Sequence, residues 1–159
     1  MSHRPLALTL STACLAALAT APAAQGMVQV DRGIAGVRIG NTRAAVRAAL
    51  GAPVSTRSGT TEFGPFLEWR FDGGIRVLFQ GGTRVSLVST TGLGDRTAAG
   101  VGVRSTERAV MSKVPGVRCE TISGTRSCHT GILTGGGRVT DFLISNGRVT
   151  RVTVAVVID

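Results

Sequence analysis

The chain has 159 residues, of which 43% are hydrophobic, and carries 18 Lys and Arg residues against 9 Asp and Glu residues. This length holds one domain or two very small ones, and the hydrophobic content excludes a wholly disordered chain. Lys113 is the single lysine and no basic run occurs, so the net charge of +9 does not indicate a nucleic-acid-binding protein.

The first 23 residues have the pattern of a secretory signal peptide. A basic start at His3 and Arg4 precedes an apolar run, and Ala21-Pro22-Ala23 provides an A-x-A cleavage site. The apolar run is too short for a membrane span. Ser11 stands where a lipoprotein signal needs a large aliphatic residue before Cys14, so we expect no membrane anchor. The sequence therefore predicts a secreted protein, periplasmic or extracellular.

Two short helices are predicted, one in each half of the remaining chain. Asn41 is expected to cap the first and Gly51 to end it, while Ser105 caps the second and Pro115-Gly116 ends it. The first helix has one apolar face and one basic face, formed respectively by Ala45, Val46, Ala49 and Leu50, and by Arg43 and Arg47. Helices of about ten residues are not stable alone, so each is expected to lie on a sheet.

Alternating apolar residues predict strands after both helices. The apolar positions of the first half are Leu67, Trp69, Phe71, Ile75, Val77 and Phe79, with a turn at Asp72-Gly73-Gly74 between them. In the second half, Asn146-Gly147 predicts a type I′ hairpin. Because Trp69 shares the apolar face with its neighbours, we expect it to pack beneath the first helix.

Cys119 and Cys128 are predicted to form a disulfide. They stand symmetrically about Ser123-Gly124, a two-residue hairpin turn, at a non-hydrogen-bonded strand pair where two cysteines come within bonding distance. Export to an oxidising compartment favours the bond. The alternative is a metal or redox site with the adjacent His129, but no C-x-x-C occurs and a zinc site would lack ligands.

The chain resembles itself at a separation of 64 residues. Residues 35–95 align without a gap on residues 99–159, and the glycine-rich segment 91–95 connects the two units. We therefore predict an α+β fold of two tandem repeats, at 27–91 and 96–159. Each repeat is expected to be a short helix packed on an antiparallel β-sheet.

A resemblance to a known family rests on a short motif in the first unit. The motif residues are Ile39-Gly40-Asn41-Thr42, Val46 and Leu50-Gly51-Ala52-Pro53, followed by Trp69, Phe79, Gly82 and Val85. In these residues the chain resembles the SmpA/OmlA (BamE-like) domain, and two such units resemble the architecture of beta-lactamase inhibitory proteins. The resemblance implies a helix-plus-sheet module that binds other proteins through its loops and open sheet face.

The sequence predicts no catalytic site, no cofactor and no metal site. His129 is the one histidine after residue 23, no G-x-S-x-G elbow occurs, and Lys113 follows no glycine-rich phosphate loop. The acidic residues are dispersed, which leaves a paired-carboxylate hydrolase open without pointing to one. We therefore expect a protein that is not an enzyme.

The predicted binding surface is the sheet face opposite the helices. Its predicted residues are Glu68, Arg70, Arg76, Arg84 and Arg148. The first hypothesis is a binding module for another protein, including an exported enzyme. The alternative is a weak binder of an anionic cell-envelope polymer through the arginines, because guanidinium groups pair well with carboxylates.

Overall fold

The structure, a computed structural model, describes residues 27–158. The predicted signal peptide at 1–23 lies outside the described residues. Eleven strands and two α-helices follow one another along the chain: β1 (Val28–Gln29), β2 (Gly33–Ile34), β3 (Val37–Arg38), α1 (Arg43–Leu50), β4 (Ser55–Thr61), β5 (Gly64–Arg70), β6 (Ile75–Gln80), β7 (Leu87–Thr90), α2 (Glu107–Lys113), β8 (Arg118–Ile122), β9 (Thr125–Gly131), β10 (Arg138–Ser145) and β11 (Arg148–Val156). Within residues 27–158, no helix has the length and apolar character needed to cross a membrane.

Eight strands form one continuous antiparallel sheet in the order β4-β5-β6-β7-β11-β10-β9-β8, and β1 to β3 form a second, three-stranded sheet. The predicted fold class, two tandem repeats each with a helix on its own sheet, is therefore wrong, and the protein is mostly β. The two halves join where β7 pairs with β11, as in Val88 opposite Val154. In separate sheets β7 and β11 would be edges with unpaired backbone groups, and their pairing satisfies those groups. The boundaries at 27–91 and 96–159 stay a prediction.

Both helices begin one residue later than predicted. Thr42 and Thr106 are the N-caps, and their hydroxyl oxygens accept hydrogen bonds of 3.2 Å from the backbone N–H groups of Ala45 and Ala109. Asn41 instead accepts from the N–H of Arg38. Its side chain therefore holds the turn before the helix and is not available as the cap.

The aromatic core lies beneath α1, as predicted for Trp69. The Trp69 and Phe79 rings meet edge to face with centroids 4.9 Å apart, and Trp69 is 4% exposed. Arg47 and Arg43 are exposed residues of α1 whose guanidinium groups lie over the aromatic core. Their guanidinium carbons lie 5.1 Å and 5.7 Å above the rings of Trp69 and Phe79, because a cation is attracted to the face of an aromatic ring.

The three-stranded sheet lies on the same side of the large sheet as the helices. Asp31, in the turn between β1 and β2, accepts hydrogen bonds from the hydroxyls of Thr130 and Thr140 at 2.7 Å and 2.9 Å. Val28, Ile34 and other residues of the small sheet belong to the same hydrophobic core as the helices. One face of the large sheet is thus covered.

The two predicted hairpins in the second half are confirmed. Ser123 and Gly124, and likewise Asn146 and Gly147, all have positive φ, as a type I′ turn requires at both central positions. Cys119 lies directly opposite Cys128 across the β8–β9 pair, and the two form the predicted disulfide, with Cα atoms 3.9 Å apart.

Candidate functional site: the open face of the eight-stranded sheet

We call the side of the eight-stranded sheet opposite the helices the open face. Side chains alternate between the two sides of a strand. Since Trp69 and Val77 point into the core, Glu68, Arg70 and Arg76 point to the other side. Neither helix, nor any strand of the small sheet, covers this side among residues 27–158. The open face of the described chain is therefore accessible to a partner.

One row of polar and charged side chains crosses the open face from β5 to β8. Strand register places its members opposite one another in the order Arg70, Arg76, Ser89, Thr153, Asp141, His129 and Arg118. The row begins with two arginines, has small hydroxyl side chains at its centre, and continues through Asp141 and His129 to Arg118. The carboxylate of Asp141 is therefore separated from the two arginines by the hydroxyl side chains.

Glu68 anchors the basic end of this row. Its carboxylate accepts a hydrogen bond of 2.8 Å from Nε of Arg70 and one of 3.4 Å from Nη1 of Arg76. The Glu68 side chain is 5% exposed, whereas those of Arg70 and Arg76 are 59% and 35% exposed. One buried carboxylate thus fixes two guanidinium groups that remain accessible.

A row of apolar side chains runs beside the charged one. Leu78, Leu87, Ala155 and Val139 stand opposite one another on β6, β7, β11 and β10, and each is half-buried. In a sheet with one solvated face these positions usually carry polar residues. The open face therefore combines an apolar strip with charged groups.

A cleft lies at the basic end of the open face, with a volume of about 270 Å³. Three arginines line it, namely Arg70, Arg76 and Arg151, together with Ser89 and Thr91. Arg151 is not among the binding residues predicted from the sequence. Arg151 and Thr153 alternate along β11 with Val152 and Val154, which point into the core, so both lie on the open face. The alternation of Val152, Val154 and Val156 in the sequence is the signal that could have predicted the position of Arg151.

Two carboxylates, those of Asp141 and Glu120, lie near the opposite end of the row, which finishes at Arg118. Asp141 stands opposite His129, and Nδ1 of His129 lies 3.5 Å from Oε1 of Glu120. Burial raises the pKa of Asp141, while a hydrogen bond from Ser127 and electrostatic interactions with His129 and Arg151 act against the rise. This end of the open face can accept a basic group.

Arg84 and Arg148 do not join the other predicted binding residues. Nη1 of Arg84 donates to the backbone oxygen of Gly40, and Nη1 of Arg148 donates to that of Arg104, both at 3.0 Å. The two contacts are themselves 64 residues apart, and each ties down the segment before a helix. The structure brings together Glu68, Arg70 and Arg76 and gives Arg84 and Arg148 a structural position.

The titratable groups near His129 are not arranged as a nucleophile, base and orienting acid. In such a triad the imidazole lies between the hydroxyl and the carboxylate. Here Asp141 is the shared neighbour of Ser127 and His129. On the other face, Glu107, Cys119 and Cys128 place ligand atoms within 4.8 Å of one another, but both sulfurs are consumed in the disulfide. A disulfide sulfur is not the thiolate that a metal requires.

Comparisons with known proteins leave the chain without a family. No protein-family model matches it, and neither does any curated protein. Its fold is similar to a DUF4309 family protein, YjgB, from Bacillus subtilis, at 20% sequence identity, a TM-score of 0.47, and coverage of 76% of this chain and 82% of that one. It is also similar to an extracellular protein containing an SCP domain from Bacillus anthracis, at 13% identity and a TM-score of 0.49. That match covers 74% of this chain and 43% of that one, so the chain spans less than half of the second protein. Neither structure is an SmpA/OmlA domain, and that resemblance stays a prediction.

Proposed function

We propose that the protein is an exported, non-catalytic module that binds another protein through the open face. The observation that carries the proposal is the apolar row of Leu78, Leu87, Ala155 and Val139 on a sheet face that no described element covers. Apolar strips flanked by arginine are typical of the core of protein interfaces, where their burial supplies free energy. The SmpA/OmlA resemblance implies the same class of function.

Export is supported by two independent features. Residues 1–23 have the composition of a secretory signal, and the Cys119–Cys128 disulfide is of a kind that persists in oxidising compartments. An exported enzyme is one class of partner that such a protein meets.

The absence of catalysis is proposed from the placement of the reactive groups. His129 is 7% exposed and faces two carboxylates, and Ser127 lies beside Asp141 instead of the imidazole. A serine in this position lacks the histidine base of a serine-histidine-acid triad.

Affinity capture tests the proposal. The oxidised protein is used as bait for the source organism's envelope fraction and culture fluid, at low and high salt, and bound proteins are identified by mass spectrometry. Leu87→Arg places a charge in the middle of the apolar row, and Ala48→Arg places the same charge on the exposed surface of α1. We expect a discrete protein that is retained at high salt by the wild type and by Ala48→Arg and lost with Leu87→Arg. Equal retention by both variants would contradict binding through the open face.

The second candidate is the binding of an anionic cell-envelope polymer. The observation that favours it is the excess of arginines over carboxylates on the open face, with Arg57, Arg70, Arg76, Arg118 and Arg151 against Glu68, Glu120 and Asp141. Exposed charges are screened beyond about 8 Å at physiological ionic strength. Material that leaves the bait completely at high salt, and that contains no discrete protein, would favour this candidate.

A further inference from the structure

We propose that the cleft between Arg70, Arg76 and Arg151 is a subsite for one carboxylate side chain, of an Asp or Glu residue of the partner protein. The proposal rests on the proposed function, because it takes the partner to be a protein. It adds the chemistry by which the partner is recognised.

The cleft has hydrogen-bond donors to spare. A guanidinium group has five N–H donors. Arg70 uses Nε and Arg76 uses Nη1 on Glu68, and Arg151 makes no hydrogen bond or ion pair to a residue that the structure describes. The remaining donors, with the hydroxyls of Ser89 and Thr91, line the same space. A carboxylate accepts two parallel N–H bonds from one guanidinium, which makes such pairs specific as well as strong.

The cleft also has positive charge to spare. Glu68 is the carboxylate that pairs with its guanidinium groups, and it lies beneath Arg70 and Arg76 with 5% of its side chain exposed. Asp141 acts on Arg151 from the adjoining strand but does not line the cleft. Because Glu68 holds Arg70 and Arg76 in place, an incoming anion orders fewer side chains, which lowers the entropic cost of binding.

The rest of the open face favours a protein side chain over a polymer. The cleft adjoins the apolar row, since Arg76 and Leu78, and likewise Ser89 and Leu87, are next neighbours on the same side of a strand. In the row of polar and charged side chains, Asp141 lies three strand spacings from Arg76, which is about 14 Å. A uniformly anionic polymer laid across the sheet would meet that carboxylate, whereas a protein can place an acid, an apolar group and a base in sequence.

Nuclear magnetic resonance of the arginine Nε–Hε groups tests the proposal with defined probes. The oxidised, ¹⁵N-labelled protein is titrated with acetyl-Leu-Glu-Leu-amide, with its uncharged counterpart acetyl-Leu-Gln-Leu-amide, and with polygalacturonate. We expect the glutamate peptide to shift the resonances of Arg76 and Arg151 saturably and the glutamine peptide to leave them unmoved. No shift with the glutamate peptide, or a shift with polygalacturonate alone, would overturn the proposal.

Arg151→Gln is the decisive variant because Arg151 makes no bond to Glu68, so its loss leaves the anchored pair intact. We expect about tenfold weaker binding of the glutamate peptide by this variant. Arg118→Gln is the matched control, since it removes the same charge from the same face at the far end of the row. Equal affinity in both variants would place the anion elsewhere and refute the subsite.

The same variants separate this proposal from the proposed function. A captured protein that is lost with Leu87→Arg but bound normally by Arg151→Gln would uphold the binding module and refute the carboxylate subsite. A glutamate peptide that binds at Arg151, with no protein retained by the open face, would uphold an anion site and refute the proposed partner class.

Discussion

Nε of Arg70 donates a 2.8 Å hydrogen bond to the carboxylate of Glu68, which joins an exposed cation to a buried anion. The guanidinium stays in water while the carboxylate beneath it is almost completely desolvated. A carboxylate in that position requires its partners, because an unpaired buried charge is costly. The pair therefore holds the Arg70 guanidinium at the place where a ligand is expected.

Glu68→Gln should lower the free energy of unfolding by about 1–2 kcal/mol, since it keeps the shape but removes the charge that pairs with Arg70 and Arg76. The partners are partly solvated, which keeps the value below that of a fully buried pair. Urea unfolding measures the change. Glu120→Gln, at a side chain that is 44% exposed, is the control and should have little effect. Equal effects of the two variants would contradict a special position for Glu68.

Arg47→Ala should destabilise the protein by about 0.5–1 kcal/mol by removing the cation above the ring of Trp69. Trp69 is the only tryptophan, so intrinsic fluorescence reports on it directly. We expect a red-shifted emission maximum, because the arginine stem also shields the ring from water. Arg108→Ala, at an exposed arginine of α2, should leave the spectrum unchanged. An unchanged spectrum for Arg47→Ala would mean that the arginine does not cover the ring in solution.

The Cys119–Cys128 disulfide should stabilise the protein by about 2–3 kcal/mol, because it closes a short hairpin and restricts the unfolded chain. Thermal unfolding with and without reductant measures the contribution. The double variant Cys119→Ser/Cys128→Ser should be insensitive to reductant. Free-thiol titration of the protein, purified without reductant, gives an independent check, and two reactive thiols there would show that the bond does not form.

Asp95→Asn should change how stability depends on pH. Asp95 is 7% exposed, and burial raises its pKa above the ordinary value of 3.8, against the hydrogen bond from Thr90. The folded state thus binds this proton more tightly than the unfolded state. Its stabilising contribution is present below pH 3.8 and is lost as the pH rises through the folded-state pKa.

Unfolding of wild type and Asp95→Asn across a series of pH values from 3 to 7 tests this sign. The stability of the wild type relative to the variant should fall as the pH rises from below 3.8. Asp72→Asn, at an exposed carboxylate, should give a difference that does not depend on pH in this way. If the stability of the wild type relative to Asp95→Asn rose with pH instead, the pKa of Asp95 would not be raised in the folded state.

The features that depend only on residues close together in the chain could be predicted from the sequence. The period-two pattern around Trp69 and Val77 predicted their strands and buried face, since alternation is a property of a single strand. Asn146-Gly147 and Ser123-Gly124 predicted their turns because those residues accept positive φ. The disulfide could be predicted because Cys119 and Cys128 stand symmetrically about the Ser123-Gly124 turn. β4, whose seven residues are all exposed, has no apolar alternation and was not predicted.

The way the two halves meet and the composition of the open face depend on contacts between residues far apart in the chain. Pairing of β7 with β11 joins segments more than 60 residues apart, and no local pattern specifies which strand edge meets which. The same pairing brings Arg151 beside Arg76, while the bonds of Arg84 and Arg148 to backbone oxygens remove them from the predicted site. Local residue preferences determine strands and turns. The pairing partner of an edge strand depends instead on which pairing satisfies the unpaired backbone groups of both strands and buries the apolar surface of the whole sheet.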